Sequence, residues 1–127
     1  MNSKDQLPLS PHLQVYKPQL TSILSIKHRI TGFCLSLVLP IYIFWIVSLL
    51  FGPLGYKFFV SVCSHFIFKT IFILATYGFS YHMMNGFRHL LWDLGYGLNI
   101  KFSTITSIVI IFLTLLCTFF VSFNFIL

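Results

Sequence analysis

The chain has 127 residues, of which 57% are apolar and only 8% charged, and its mean hydropathy is +0.92. So few charges cannot supply the polar shell of a soluble domain, and so apolar a chain does not stay disordered. The eight basic residues outnumber Asp5 and Asp93 but stand singly, without the cluster a nucleic-acid footprint requires, so no nucleic-acid partner is expected.

The first 29 residues hold three of the five prolines, Pro8, Pro11 and Pro18. They lack the order of a secretory signal, basic residues then a short apolar run then a small-residue cleavage site. Residues 1–29 therefore read as an interfacial arm and the start of a first helix, with Ser22 or Ser25 as its cap. Residues 30–51 carry neither charge nor histidine, and 22 helical residues span about 33 Å, enough for a hydrocarbon core of about 30 Å. Pro40 predicts a kink within this span. Gly52-Pro53 and Gly55 mark residues 52–56 as a turn.

A second span is expected over residues 66–87, with Lys69 close enough to its entry to snorkel. The third covers about 104–127. Together residues 30–127 form a three-span, all-α membrane domain. Four basic residues precede the first span, one lies in the first loop, two lie in the second, and none follows the third. That bias puts the N-terminus and the second loop on the inner, matrix or cytoplasmic, side. Cys34, Cys63 and Cys117 are widely spaced in apolar stretches and read as small buried residues, not as a disulfide framework or a metal site.

At 100° per residue, His82, Gly86, His89 and Asp93 share one stripe of the second span, bordered by Asn85, while Arg88 is expected to point away toward the interface. An ionisable side chain at the depth of His82 must face protein or a cavity. Two readings remain open from the stripe alone. His82 either hydrogen-bonds across the bundle, or ligates a haem whose second axial imidazole comes from another chain. On the second reading Gly86 lets a macrocycle approach the backbone, and His28, Arg29 and His89 are donors for its propionates. Ser25 and Arg29, four apart on one face, either bind a carbonyl-bearing amphiphile or are simply a helix start with a snorkelled cation.

Two long motifs carry a family resemblance. Leu7-Pro8-Leu9-Ser10-Pro11-His12 with Ser25-Ile26-Lys27-His28-Arg29-Ile30-Thr31-Gly32 resembles the amino-terminal signature of the cytochrome b556 subunits of succinate dehydrogenase. His82-Met83-Met84-Asn85-Gly86-Phe87-Arg88-His89 through Asp93 is similar to their second signature. The resemblance implies a large membrane-anchor subunit of respiratory complex II. It would share haem b with a small anchor subunit that supplies the other axial histidine, and dock an iron–sulfur subunit and an FAD-bearing flavoprotein subunit that pass electrons from succinate to ubiquinone.

Carried over, His82 matches the axial haem ligand, Ser25, Ile26 and Arg29 the quinone pocket, and His28 and Arg29 the propionate approach. Leu7 stands where the family usually has Arg, and Lys27 where it usually has a smaller or apolar residue. The expected membrane is the mitochondrial inner membrane or, alternatively, a bacterial plasma membrane. No activity is expected from the isolated chain. The rival readings are a haem-free anchor of the same complex, a small helical transporter using His82 and Asp93 as a proton relay, and a pure assembly scaffold.

Overall fold

The computed structural model describes residues 16–126, so the segment containing Leu7, Pro8, Pro11 and His12 lies outside the described residues. Four helices follow one another: α1 (Leu20–Leu50), α2 (Gly52–Cys63), α3 (Phe66–Asp93) and α4 (Ile100–Ile126). Helices α1 and α4 are each long and apolar enough to cross a membrane, and α2 with α3 forms a third candidate span broken by an 85° bend. No strand occurs among the described residues.

Helix α1 starts earlier than its serines suggest. Gln19 is the N-cap and makes no side-chain cap bond, so neither Ser22 nor Ser25 caps the helix. Ser22 instead pairs with the Tyr16 hydroxyl at 2.6 Å. Helical structure continues through Pro40.

The expected turn over residues 52–56 is confined to its first residues. Gly52 adopts φ +65°, and Pro53 sits at the start of α2. Proline is well suited to the first helical turn, where its missing N–H costs nothing, so Gly-Pro here reverses the chain and then opens a helix. The α3–α4 link is equally compact. Gly95 at φ +82° lets the Tyr96 N–H reach the Leu91 carbonyl and the Gly95 N–H reach that of Trp92, both at 2.9 Å, which closes α3 with a Schellman motif. The Trp92 indole then donates to the Gly97 carbonyl at 3.2 Å.

Helix α3 is central, packed against α1 on one side and α4 on the other. What lies between the helices is small and largely polar. Thr31 and Ser48 of α1, Ser80, Asn85 and Arg88 of α3, and Ser103, Ser107 and Thr114 of α4 are buried, whereas Leu24, Tyr81 and Ile110 are the buried apolar residues. On α4, Ser103, Ser107, Ile110 and Thr114 recur at four-three-four spacing and form one seam toward α3. Small side chains let helix backbones approach closely where lipid is as apolar as any leucine, so packing rather than hydrophobicity selects the interface. Several of these hydroxyls return to the helix backbone, as in Ser107 to Ser103 at 2.7 Å and Thr31 to His28 at 2.9 Å. Phenylalanine, leucine and isoleucine occupy the outer surface, with Phe33, Phe112 and Phe119 all exposed.

Candidate functional site

The contact between α1 and α3 gathers the histidines. Gly32 on α1 and the small residues of α3 allow the two helices to approach, and the His82 ring lies directly over Gly32: a Cβ there would stand 2.9 Å from His82 Cε1. The His28 ring stacks on that of His82, with centroids 3.9 Å apart and planes 10° from parallel. His89, two turns further along α3, tilts against the same His28 ring at 5.2 Å. Gly86 lies between them in register, where an added Cβ would meet His28 Cε1 at an ordinary 3.8 Å. His28, His82, Gly86 and His89 thus come together on one surface between the helices.

A backbone contact orients the His82 ring. Its Nδ1 lies 3.1 Å from the His28 carbonyl oxygen, which can only accept, so Nδ1 carries the proton. The lone pair is left on Nε2. Thr31 Oγ1 sits 3.4 Å from the same Nδ1 and donates to the same carbonyl at 2.9 Å, bracing the contact. A backbone carbonyl holding one ring nitrogen is the usual way a metal-ligating imidazole is oriented. The donor set therefore fits a group that needs one neutral imidazole from this chain. Among the described residues no cluster of three or more His, Cys, Asp or Glu forms a metal site.

On α1, Ser25 and Ile26 lie within one turn before His28, and Arg29 follows it directly. Ser25 is half-buried, while Ile26 and Arg29 are exposed. Two shallow clefts lie away from these residues, at the α1–α2 corner beside Phe51, Leu54 and Phe58 and at the α3–α4 turn beside Leu91, Tyr96 and Phe102. Lys27 turns the other way from Arg29, and its Nζ rests 5.1 Å from the Tyr77 ring centroid and 5.2 Å from that of Tyr81. Two aromatic faces thus hold this cation within the fold.

One residue departs from the sequence expectation. Arg88 does not point to the interface: it is only 4% exposed, donates from Nη1 to Ser107 Oγ at 2.6 Å, and lies over the Trp92 ring at 4.5 Å. Spacing along α3 alone does not show that α4 packs over Arg88. The Ser103-Ser107-Ile110-Thr114 spacing was the available signal. Tyr81 was also missed. It is fully buried, and its hydroxyl donates to the Leu24 carbonyl at 2.7 Å, tying α3 to α1. Asn85 is fully buried as well, with Nδ2 3.4 Å from His89 Nε2.

Known proteins resemble this chain along most of its length. The family model described as succinate dehydrogenase/fumarate reductase transmembrane subunit matches residues 3–121. The chain is 40% identical over 111 residues to the succinate dehydrogenase cytochrome b556 subunit of Rickettsia prowazekii (strain Madrid E), covering 87% of this chain and 86% of that one. It is 41% identical over 114 residues to the cytochrome b560 subunit of Marchantia polymorpha, with 83% and 80% covered. With the mitochondrial cytochrome b560 subunit of Mus musculus it shares 35% over 129 residues, covering 91% of this chain and 69% of the relative. These likenesses, running through every helix, leave no place for the transporter reading: the chain belongs to the succinate dehydrogenase/fumarate reductase transmembrane subunits, the membrane anchors of complex II.

Proposed function

We propose that this chain anchors a succinate:ubiquinone oxidoreductase in the membrane, supplies one axial ligand to a haem b, and contributes to the ubiquinone site. The observation that carries the reading is the His82 tautomer, with Nδ1 committed to the His28 carbonyl at 3.1 Å and Nε2 left as the ligating nitrogen. On this reading His28, Arg29, Gly86 and His89 would receive the haem propionates and a macrocycle edge. When bound, the haem offers a one-electron store between the iron–sulfur subunit and quinone. The second imidazole comes from the small anchor subunit.

The same reading puts the N-terminal end of α1 and the α3–α4 turn on the matrix or cytoplasmic side, facing the iron–sulfur and flavoprotein subunits. Ser25 and Arg29 then bind ubiquinone at that face. The Ser25 hydroxyl can donate to a quinone carbonyl, and the Arg29 guanidinium stabilises negative charge on its oxygen as electrons arrive. Ile26, exposed on the same turn, lines the apolar side. Because Ile26 and Arg29 are open to the outside of this chain, the remaining walls of the pocket belong to the partners. The full membrane assignment is the mitochondrial inner membrane or its bacterial counterpart.

The test is a reduced-minus-oxidised visible spectrum of the native complex, wild type beside His82→Ala. A sharp low-spin b-type band in the wild type that disappears in an assembled His82→Ala complex is the expected result. An unchanged band would remove His82 as a ligand. A band absent from a wild-type complex that still contains flavin would favour the haem-free anchor, in which the His28–His82 stack is packing only.

A further inference from the structure

Among the described residues Arg88 is a charge without a counter-charge. It is buried to 4% exposure, its Nη1 is taken by the neutral Ser107 hydroxyl, and Nε and Nη2 are buried with no hydrogen-bond partner. The chain has two acidic residues, Asp5 and Asp93. Asp93 is exposed and Asp5 lies outside the described residues, so among the described residues no ion pair forms at the guanidinium. A buried, unpaired cation is costly, and inside a membrane protein such a charge is a functional feature by default. Arginine keeps its proton in these surroundings, so its charge is fixed.

That fixed charge stands beside the histidine surface. Arg88 lies over the Trp92 ring at 4.5 Å, Trp92 meets His89 edge to face at 5.1 Å, His89 meets His28 at 5.2 Å, and His28 stacks on His82 at 3.9 Å. The rings along this path are half-buried between the helices, where charge is screened less than in bulk water, and a less-screened positive charge favours whichever neighbouring state carries one more electron. Ser107 and Trp92 hold the guanidinium in place between α3 and α4.

We propose that Arg88 is an electrostatic positioning residue that raises the reduction potential of the redox group ligated at His82. The inference rests on the proposed role of His82. The step it would influence, once haem is bound, is the uptake of one electron from an iron–sulfur centre of the partner subunit, with no bond made or broken. The charge of Arg88 stabilises the product of that step relative to the reactant.

The experiment is a redox titration of the haem band in purified complexes of wild type, Arg88→Gln, Arg88→Lys and Ser107→Ala. Arg88→Gln removes the charge and should lower the midpoint potential. Arg88→Lys keeps the charge and should stay near wild type, as should Ser107→Ala, which removes a hydrogen-bond acceptor but not the positive charge beside Trp92. A midpoint unmoved in Arg88→Gln, with a normal haem band, would overturn this inference while leaving His82 as ligand. Equal downward shifts in Arg88→Gln and Arg88→Lys would also overturn it, since shape and not charge would then matter. Absence of haem from the wild-type complex would remove the role of His82 and this inference together.

Discussion

His82 Cε1 lies where a side chain on Gly32 would begin: an added Cβ would stand 2.9 Å away. Real Cβ atoms do not sit that close to a ring, so Gly32→Ala must displace either the His82 imidazole or helix α1. The expected outcome is a helix-packing cost of about 1–3 kcal/mol, with a shifted or diminished haem band. Thermal denaturation and the reduced-minus-oxidised spectrum of the complex measure the two effects separately. A Gly32→Ala complex with wild-type stability and spectrum would mean that the close approach is not maintained in the assembly.

Tyr81 ties two helices by one hydroxyl. Removing it in Tyr81→Phe leaves the ring packed but deprives the buried Leu24 carbonyl of the donor at 2.7 Å. A loss of about 1 kcal/mol is expected, within the usual range for a single hydrogen bond. Tyr81→Ala also opens a cavity and should cost about 3–5 kcal/mol. Detergent-solubilised complexes compared by melting temperature give both values, and near-equal losses in the two variants would contradict the packing role of the ring.

Ser107→Ala should destabilise the α3–α4 contact more than its size suggests. It leaves Nη1 of a buried guanidinium without its acceptor at 2.6 Å, which costs about 1–3 kcal/mol. Ser103→Ala, which removes no partner from Arg88, is the control. Similar melting temperatures for the two would show that Arg88 finds another acceptor.

Arg29→Ala tests the ubiquinone reading. Quinone reduction is expected to fall by at least tenfold, while succinate oxidation by an artificial dye continues in the assembled complex, because electron entry lies in the partner subunits. A tenfold loss corresponds to about 1.4 kcal/mol of lost interaction. Steady-state assays with the two acceptors on one preparation check it, and parallel loss of both activities in an assembled complex would remove Arg29 from the quinone site.

Gly97 adopts φ +76° and its Cβ position is 2.7 Å from Phe102 Cε1. Gly97→Ala therefore meets both backbone strain and a ring, and a destabilisation of about 1–3 kcal/mol is expected. Limited proteolysis of the α3–α4 turn reads the effect directly, with faster cleavage in the variant.

Long uncharged runs made the all-helical membrane fold legible, because hydropathy reports directly on what lipid will accept. The histidine stripe was legible for a related reason: spacing fixes which residues of one helix share a face. The missing parts depend on which helix covers which face. Arg88 reads as an interfacial cation on α3 alone and becomes a buried one only when Ser107 of α4 is opposite it. The Nδ1 contact of His82 depends on a carbonyl, which has no letter in a sequence. Helix α2 was hidden because Gly52-Pro53 signals both a turn and a helix start, and the chain uses both in succession.

The 85° bend between α2 and α3 bears on the depth of the site. If α3 crosses the bilayer, α2 lies almost in the membrane plane at its far end, with Tyr56, Phe58 and Lys57 exposed in the composition of an interfacial helix. Such a helix acts as a float. Sinking α3 would drag Lys57 into hydrocarbon, and raising it would pull Phe58 into water, so the vertical travel of α3 is limited from both directions. The level at which His82 meets its neighbours is then set by an element at the opposite surface of the membrane.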